Sequence, residues 1–263
     1  MSLKFAANLS FLYQDLPFLD RFAAAAEDGF KGVEFLFPYE FDAEDVRREL
    51  ATHGLTPALF NFSAGDFAKG DRGLASLAGR RGEFRDSLAQ GLAYARAIGA
   101  ERMHLMAGLR DETVSRESQY ATFRDNLRIA ADMGAAAGVA ILIEAINTVD
   151  MPGYFLDSLE MATALIEEIN HPYLGLQFDV YHVQRMHGDI TRHYRAAATH
   201  IRHMQIANPP HRHEPDNGEI NYPFIFDFLE KESYSGWIGC EYIPSNGTRA
   251  TLGWAKDYLS PPR

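Results

Sequence analysis

The sequence has little of several features that whole classes of protein require. It contains one cysteine, Cys240, among 263 residues, which excludes an intrachain disulfide and a cage of thiolate metal ligands. No stretch approaches the roughly 20 consecutive apolar residues that span a membrane. The N-terminus also lacks the basic-then-apolar layout of a signal peptide. We therefore expect a cytoplasmic protein with no membrane partner.

Positive charge is also scarce. There are 25 lysines and arginines against 36 aspartates and glutamates, which gives a formal net charge of −11. A surface this negative repels phosphate backbones, so we expect no nucleic-acid partner. A small anionic substrate is compatible with this charge, because one local basic pocket can outweigh a diffuse field.

What the chain does have is a repeat, in which short apolar runs alternate eight times with longer amphipathic stretches. The predicted strands are Lys4–Leu9, Gly32–Phe37, Leu55–Asn61, Arg102–Met106, Val139–Glu144, Leu174–Asp179, His200–Ile206 and Trp237–Tyr242. The predicted helices are Leu16–Asp28, Ala43–His53, one that ends near Ile98, Arg116–Ala137, Leu156–Asn170, Asp189–Thr199, Tyr222–Lys231 and Thr248–Leu259.

Apolar strands that alternate with helices are typical of a parallel sheet buried on both faces. Eight such units favour a closed (β/α)8 TIM barrel, formed by residues 1–263 as one domain. The alternative, an open doubly wound sheet, more often carries a glycine-rich nucleotide-binding turn after its first strand. The segment that follows the first strand here, Ser10–Tyr13, has no glycine.

The last four strands each end in an oxygen-bearing side chain: Glu144, Asp179, Gln205 and Glu241. In a barrel these ends meet at the rim where active sites lie. Three carboxylates at one rim repel one another unless a cation lies between them. Oxygen ligands without a thiolate favour Mg²⁺ or Mn²⁺ over Zn²⁺, so we predict a divalent metal site. The alternative is four solvated residues at strand ends.

Further polar side chains accompany these strand ends. His182 lies three residues after Asp179 in a predicted loop, as either a substrate-polarising group or a solvated histidine. Arg212 lies in a proline-rich loop after the seventh strand. In so acidic a chain it is either a clamp for a substrate carboxylate or part of a solvated basic loop. Gln177 and His203 face the predicted metal by alternation, either as partners of its ligands or as core polar groups.

Over essentially its whole length the chain resembles the hydroxypyruvate isomerase family of xylose-isomerase-like barrels. The shared stretches are Gly32–Tyr39, Phe60–Asn61, Ala64–Asp66, Arg72–Gly73, Ile143–Asn147, Pro152–Phe155, Asp179–His182, Arg212–Pro215, Gly218–Tyr222 and Gly239–Tyr242. The resemblance implies that Glu144 and Glu241 transfer protons and that Glu144, Asp179, Gln205 and Glu241 hold the divalent ion. Related sugar epimerases usually have histidine in place of Gln205, which favours the hydroxyacid isomerases.

The implied reaction is a metal-dependent isomerisation of a short hydroxy-oxo acid through an enediolate. It converts hydroxypyruvate to tartronate semialdehyde, or 2-oxo-tetronate to its 3-oxo isomer. Asn208 and His211 stand where the family usually has Asp and Gly, which leaves the exact substrate open. The alternatives are a ketose 3-epimerase acting on a neutral sugar, an abasic-site endonuclease and a non-catalytic barrel. Whether the chain forms a homo-oligomer is also left open.

Overall fold

The computed structural model of the chain describes residues 3–259. Its strands are β1 Lys4–Asn8, β2 Gly32–Phe35, β3 Thr56–Asn61, β4 Arg102–His104, β5 Ala140–Glu144, β6 Leu174–Asp179, β7 Ile201–Ile206 and β8 Trp237–Cys240. Each strand pairs in parallel with the next in the sequence, and β8 pairs with β1. The predicted (β/α)8 barrel is therefore confirmed.

Helices connect successive strands. They are α1 Asp20–Glu27, α2 Ala43–His53, α3 Arg81–Ile98, α4 Arg116–Ala137, α5 Leu159–Ile169, α6 Val180–Met186, α7 Ile190–Ala197 and α8 Tyr222–Lys231. The predicted bounds of α2 and α4 are confirmed, because side-chain caps and glycines define both ends. Asp42 and Ser115 accept hydrogen bonds from the first turns, and Gly54 and Gly138 end the two helices in the left-handed conformation.

Most other predicted bounds shift by one to three residues, and three predictions differ more from the structure. The first helix begins at Asp20 rather than Leu16, and Pro17 disfavours helical geometry at Leu16, the residue before it. The predicted loop that contains His182 is wrong: the residue lies on α6, which Asp179 caps by accepting from the backbone N–H of Tyr181 at 2.7 Å. The predicted helix Thr248–Leu259 is also wrong, since the segment contains two short 3₁₀ helices, Arg249–Thr251 and Gly253–Ala255.

Alternation along the strands separates an apolar outer face from a polar interior. Phe5 of β1 packs edge-on against Phe226 of α8, with ring centroids 5.3 Å apart, and Phe178 of β6 packs against Tyr194 of α7. Cys240 is fully buried on β8. The barrel interior instead carries polar side chains toward the carboxyl ends of the strands. No helix within residues 3–259 combines the length and apolar character needed to cross a membrane.

Candidate active site

The carboxyl ends of the last four strands bring the predicted site residues to one rim. Glu144 and Asp179 are the last residues of β5 and β6, and Gln205 is the penultimate residue of β7. The register pairs Asp179 directly with Gln205. Glu241 follows the last residue of β8. All four residues are buried, so none is a solvated residue at a strand end.

The three buried carboxyl groups perturb one another's acidity. Burial, reinforced by the charges of Asp179 and Glu241, raises the pKa of Glu144 well above its usual range. Burial also raises the pKa of Asp179 to about 6 and that of Glu241 to about 8, even though the nearby Arg212 guanidinium lowers both. Negative charge is therefore costly at this rim, and a bound cation would relieve that cost.

Two of these carboxylate oxygens, Glu144 Oε1 and Asp179 Oδ2, are buried without a hydrogen-bond partner. Together with a ring nitrogen of His182, ligand atoms of these residues lie within 4.8 Å of one another. Buried carboxylate oxygens without donors are ligands that a hard divalent cation prefers. The donor set on this rim therefore fits Mg²⁺ or Mn²⁺.

Both the oxygen and the nitrogen of the Gln205 side-chain amide form hydrogen bonds. Its Oε1 accepts a hydrogen bond of 2.6 Å from Gln177 Nε2, and its Nε2 donates to Glu34 Oε1 at 2.9 Å. The predicted position of Gln177 beside a candidate ligand is therefore what the structure shows. An amide oxygen has a second lone pair, so Gln205 can also contact a cation.

Glu34 of β2 lies beneath the rim at the centre of a group of polar side chains, and it is not among the site residues predicted from the sequence. Its buried carboxylate accepts from Asn8 Nδ2 at 2.9 Å and lies 2.6 Å from His203 Nε2. A Cβ at Gly239 of β8 would lie less than 3.0 Å from both carboxylate oxygens, so this glycine leaves the space that Glu34 fills. An acidic residue within the short apolar strand Gly32–Phe35 was the available signal.

Arg212, the predicted carboxylate clamp, lies at the mouth of the barrel. Its guanidinium forms an ion pair with the Glu241 carboxylate, and its Nη2 lies 3.8 Å from Asp179 Oδ2. The rings of Phe11 and Tyr181 flank it, with centroids 5.0 and 5.1 Å from its Cζ. Arg212 is therefore an ordered cation within the site rather than part of a solvated loop.

Two buried histidines face Glu144. His182 Nε2 lies 3.8 Å from Glu144 Oε1 and 3.5 Å from Asp179 Oδ2. His104, the last residue of β4, has its Nε2 3.7 Å from Glu144 Oε2. Burial lowers the pKa of His104 to about 3 and holds that of His182 well below its usual range, so both rings are neutral. His104 is not among the residues predicted from the sequence, because that prediction rests on the ends of the last four strands only.

These groups surround a cavity of about 160 Å³. It is lined by Phe11, Leu36, Phe37, Asn61, Phe67, His104, Met106, Glu144, Ile146, Asp150, Met151, His182, Arg212 and Glu241. Pockets for drug-sized ligands hold roughly 300–1,000 Å³, so this one suits a smaller molecule. Its walls provide acidic groups, neutral histidines and one arginine.

An eight-stranded parallel barrel with an acidic, cation-compatible cluster at the carboxyl ends of its strands defines the class: a TIM-barrel enzyme. The particular family follows from sequence comparison. A profile of the xylose isomerase-like TIM barrel family matches residues 22–258, and the chain belongs to that family.

Individual relatives narrow this further. The chain is 51% identical over 256 residues to a 2-oxo-tetronate isomerase of Cupriavidus necator, covering 97% of this chain and 98% of that protein. It is 44% identical over 256 residues to a hydroxypyruvate isomerase of Escherichia coli, covering 97% and 99%. These relatives confirm the predicted membership of the hydroxypyruvate isomerase family and, with it, that the chain is an isomerase.

Solved structures agree on the fold. One described as an AP endonuclease of family 2 from Brucella melitensis superposes with a TM-score of 0.96 at 46% identity, covering 99% of this chain and all of that one. A 3-keto-D-glucoside 4-epimerase from Escherichia coli superposes with a TM-score of 0.80, covering 98% of this chain and 100% of that one. At 18% identity, the epimerase supports the barrel fold alone.

Proposed function

We propose that the protein isomerises a short hydroxy-oxo acid, either hydroxypyruvate or 2-oxo-tetronate, with the help of a divalent cation. The observation that supports this proposal is the set of side chains that line one small cavity. Glu144 and Glu241 provide a pair of acid–base groups in it, and Arg212 provides a cation for a substrate carboxylate. The printed names of the two sequence relatives support the same substrate class.

The reaction moves hydrogen between adjacent carbons and needs no oxidant. In hydroxypyruvate, a glutamate removes a proton from C3, and the electron pair of that bond forms the C2–C3 double bond of an enediolate. A second glutamate delivers a proton to C2, while the hydroxyl proton on O3 passes to O2. The product is tartronate semialdehyde. Glu144 and Glu241 suit these roles because both carboxyl groups line the cavity, where each can take up or release a proton.

The remaining roles are to hold the cation and to bind and orient the substrate. Glu144, Asp179, Gln205 and Glu241 would hold Mg²⁺ or Mn²⁺, which when bound stabilises negative charge that develops on oxygen. Arg212 binds the substrate carboxylate through its planar guanidinium. His182 polarises the substrate from the neighbouring wall of the cavity.

The rival functions fit these features less well. A neutral ketose, the substrate of a 3-epimerase, has no carboxylate that Arg212 could bind. An endonuclease must attract a polyanion, whereas this chain carries a net charge of −11 and its cavity holds about 160 Å³. We therefore propose a small-molecule enzyme without a nucleic-acid partner. The single cysteine is compatible with a reducing compartment, and we propose that the protein works in the cytoplasm.

The direct test is an activity panel with hydroxypyruvate, 2-oxo-tetronate and ketohexoses, each assayed with Mg²⁺, with Mn²⁺ and with EDTA. We expect turnover of the hydroxy-oxo acids only when the metal is present. Glu241→Gln should abolish this turnover and leave the fold intact, while the exposed control Glu219→Gln should keep it. Preferential turnover of a ketohexose, or near-normal activity of Glu241→Gln, would contradict the proposal.

A further inference from the structure

Asn147, three residues beyond the end of β5, is completely buried and uses its full hydrogen-bonding capacity. Its Oδ1 accepts from the backbone N–H groups of Val149 and Asp150 at 3.1 and 2.8 Å. Its Nδ2 donates to Asp150 Oδ2 at 3.0 Å and lies 2.6 Å from His182 Nδ1. Backbone N–H groups can only donate, so the oxygen end of the amide is fixed and the Asn147 side chain cannot be flipped.

This arrangement determines where His182 carries its proton. The ring nitrogen Nδ1 faces the side-chain amide of Asn147 at 2.6 Å and the backbone N–H of the same residue at 3.4 Å. A proton on Nδ1 would point at the hydrogens of these two Asn147 donors, so Nδ1 must accept a hydrogen bond from them. In a neutral imidazole the other nitrogen, Nε2, then carries the hydrogen.

Asp150 fixes the amide from its other side. Its Oδ2 also accepts from the Tyr181 hydroxyl at 2.7 Å, and its Oδ1 lies 3.6 Å from Arg185 Nη2. Burial raises the pKa of Asp150, but hydrogen bonds from Asn147 and Tyr181 and the charge of Arg185 lower it overall. An ionised Asp150 can only accept hydrogen bonds. One N–H of the Asn147 side-chain amide therefore donates to Asp150, and the other points at His182.

We propose that Asn147 is a positioning residue that fixes the tautomer of His182, so that His182 donates a hydrogen bond through Nε2 and does not bind the cation. His182 lies close enough to Glu144 and Asp179 to be a third metal ligand. A ring nitrogen that carries hydrogen has no lone pair for a metal. It is instead a fixed donor in the site, suited to an oxygen that gains negative charge.

The tautomer can be observed without any assay of activity. Long-range ¹H–¹⁵N correlation spectra of the full chain, labelled with ¹⁵N-histidine, show which nitrogen of each ring carries hydrogen. The chain has 10 histidines, and the signal lost in His182→Gln assigns the relevant one. We expect hydrogen on Nε2 of His182, both before and after Mg²⁺ is added. Hydrogen on Nδ1, or loss of the Nε2 hydrogen when Mg²⁺ is added, would overturn the proposal.

Asn147→Asp tests the cause, because it replaces a donor with an acceptor of the same shape. We expect hydrogen to appear on Nδ1 of His182, with kcat reduced about 100-fold or more and KM little changed, as when one donor to a developing oxyanion is removed. Asn126→Asp makes the same change at a buried asparagine of α4, whose Nδ2 donates to Ala75 O, and should leave the His182 spectrum unaltered. A folded Asn147→Asp with an unchanged His182 tautomer would overturn the proposal.

The kinetic part of this inference rests on the proposed function, but the tautomer does not. If the wild-type chain shows hydrogen on Nε2 yet turns over no hydroxy-oxo acid, the proposed function fails and the tautomer assignment stands. If it turns over these acids with hydrogen on Nδ1, the tautomer assignment fails and the proposed function stands. If Asn147→Asp does not fold, the wild-type spectra with and without Mg²⁺ decide the tautomer question.

Discussion

Gly239→Ala adds one methyl group where the carboxylate of Glu34 already lies. The new Cβ would come closer than 3.0 Å to both carboxylate oxygens, a separation that real side chains do not show. Gly239 is not among the glycines with positive φ, so alanine causes no backbone strain. Any loss of stability therefore reports the contact between β8 and the side chain of Glu34.

The size of the loss in unfolding free energy can be worked out from the hydrogen bonds that the Glu34 carboxylate must weaken. To clear the methyl group, its carboxylate must shift on the order of 1 Å, to an ordinary van der Waals separation. This shift stretches its contacts with His203, at 2.6 Å, and with Gln205, at 2.9 Å. Overpacking costs about 1–3 kcal/mol, and one weakened hydrogen bond to a charged group costs up to about 3 kcal/mol. We expect the free energy of unfolding to fall by about 2–5 kcal/mol.

Urea denaturation followed by circular dichroism measures this loss. Gly82→Ala is the matched control, because nothing lies within 4 Å of a Cβ at that position in α3. Adding Glu34→Asp to Gly239→Ala shortens the acidic side chain and relieves the clash. The double variant should thus be more stable than the sum of the single effects predicts, by about 1 kcal/mol or more. An unfolding free energy for Gly239→Ala within about 0.5 kcal/mol of wild type would refute this reasoning.

Two further predictions concern the rim. Arg212→Ala should raise KM for a carboxylate substrate at least about tenfold, because a charge-assisted pair is lost; an equal effect on a neutral sugar would refute the clamp. Asp179 and Glu241 have folded-state pKa values of about 6 and 8, above their ordinary 3.8 and 4.5. These two groups therefore bind more protons in the metal-free native state than in the unfolded chain, so their contribution to stability falls as pH rises from about 4 to 8. Mg²⁺ competes with these protons, so it should raise Tm more at about pH 8 than at about pH 5; an equal rise would contradict this.

The sequence predicted the elements whose ends are set by local chemistry. The bounds of α2 and α4 follow from capping side chains and terminal glycines, and β6 ends at Asp179 as predicted. The C-terminal segment has amphipathic spacing but does not form a continuous helix. There the Thr251 hydroxyl bonds the carbonyl groups of Gly247 and Thr248, an alternative to regular helical pairing.

Some residues of the site could likewise be predicted from the sequence, and others could not. Glu144, Asp179, Gln205 and Glu241 were predictable because each lies at the end of a strand or within one residue of it, and the barrel brings those ends together. Glu34 was not, since its role depends on three partners and on the space left by Gly239, more than 200 residues away in the sequence. The contact of Asn147 with His182 likewise depends on how α6 packs beside the segment after β5.

The central claim is that one of the pair Glu144 and Glu241 removes a proton from C3 and that the other delivers a different proton to C2. It is tested most directly by the fate of hydrogen when the Mg²⁺-loaded protein converts hydroxypyruvate in D₂O, followed by NMR at early times with non-enzymatic exchange subtracted. Removal by one glutamate and delivery by another predicts deuterium at C2 of the tartronate semialdehyde formed. Product that carries the original C3 hydrogen at C2, with no deuterium from solvent, would indicate a hydride shift and contradict the two-glutamate mechanism.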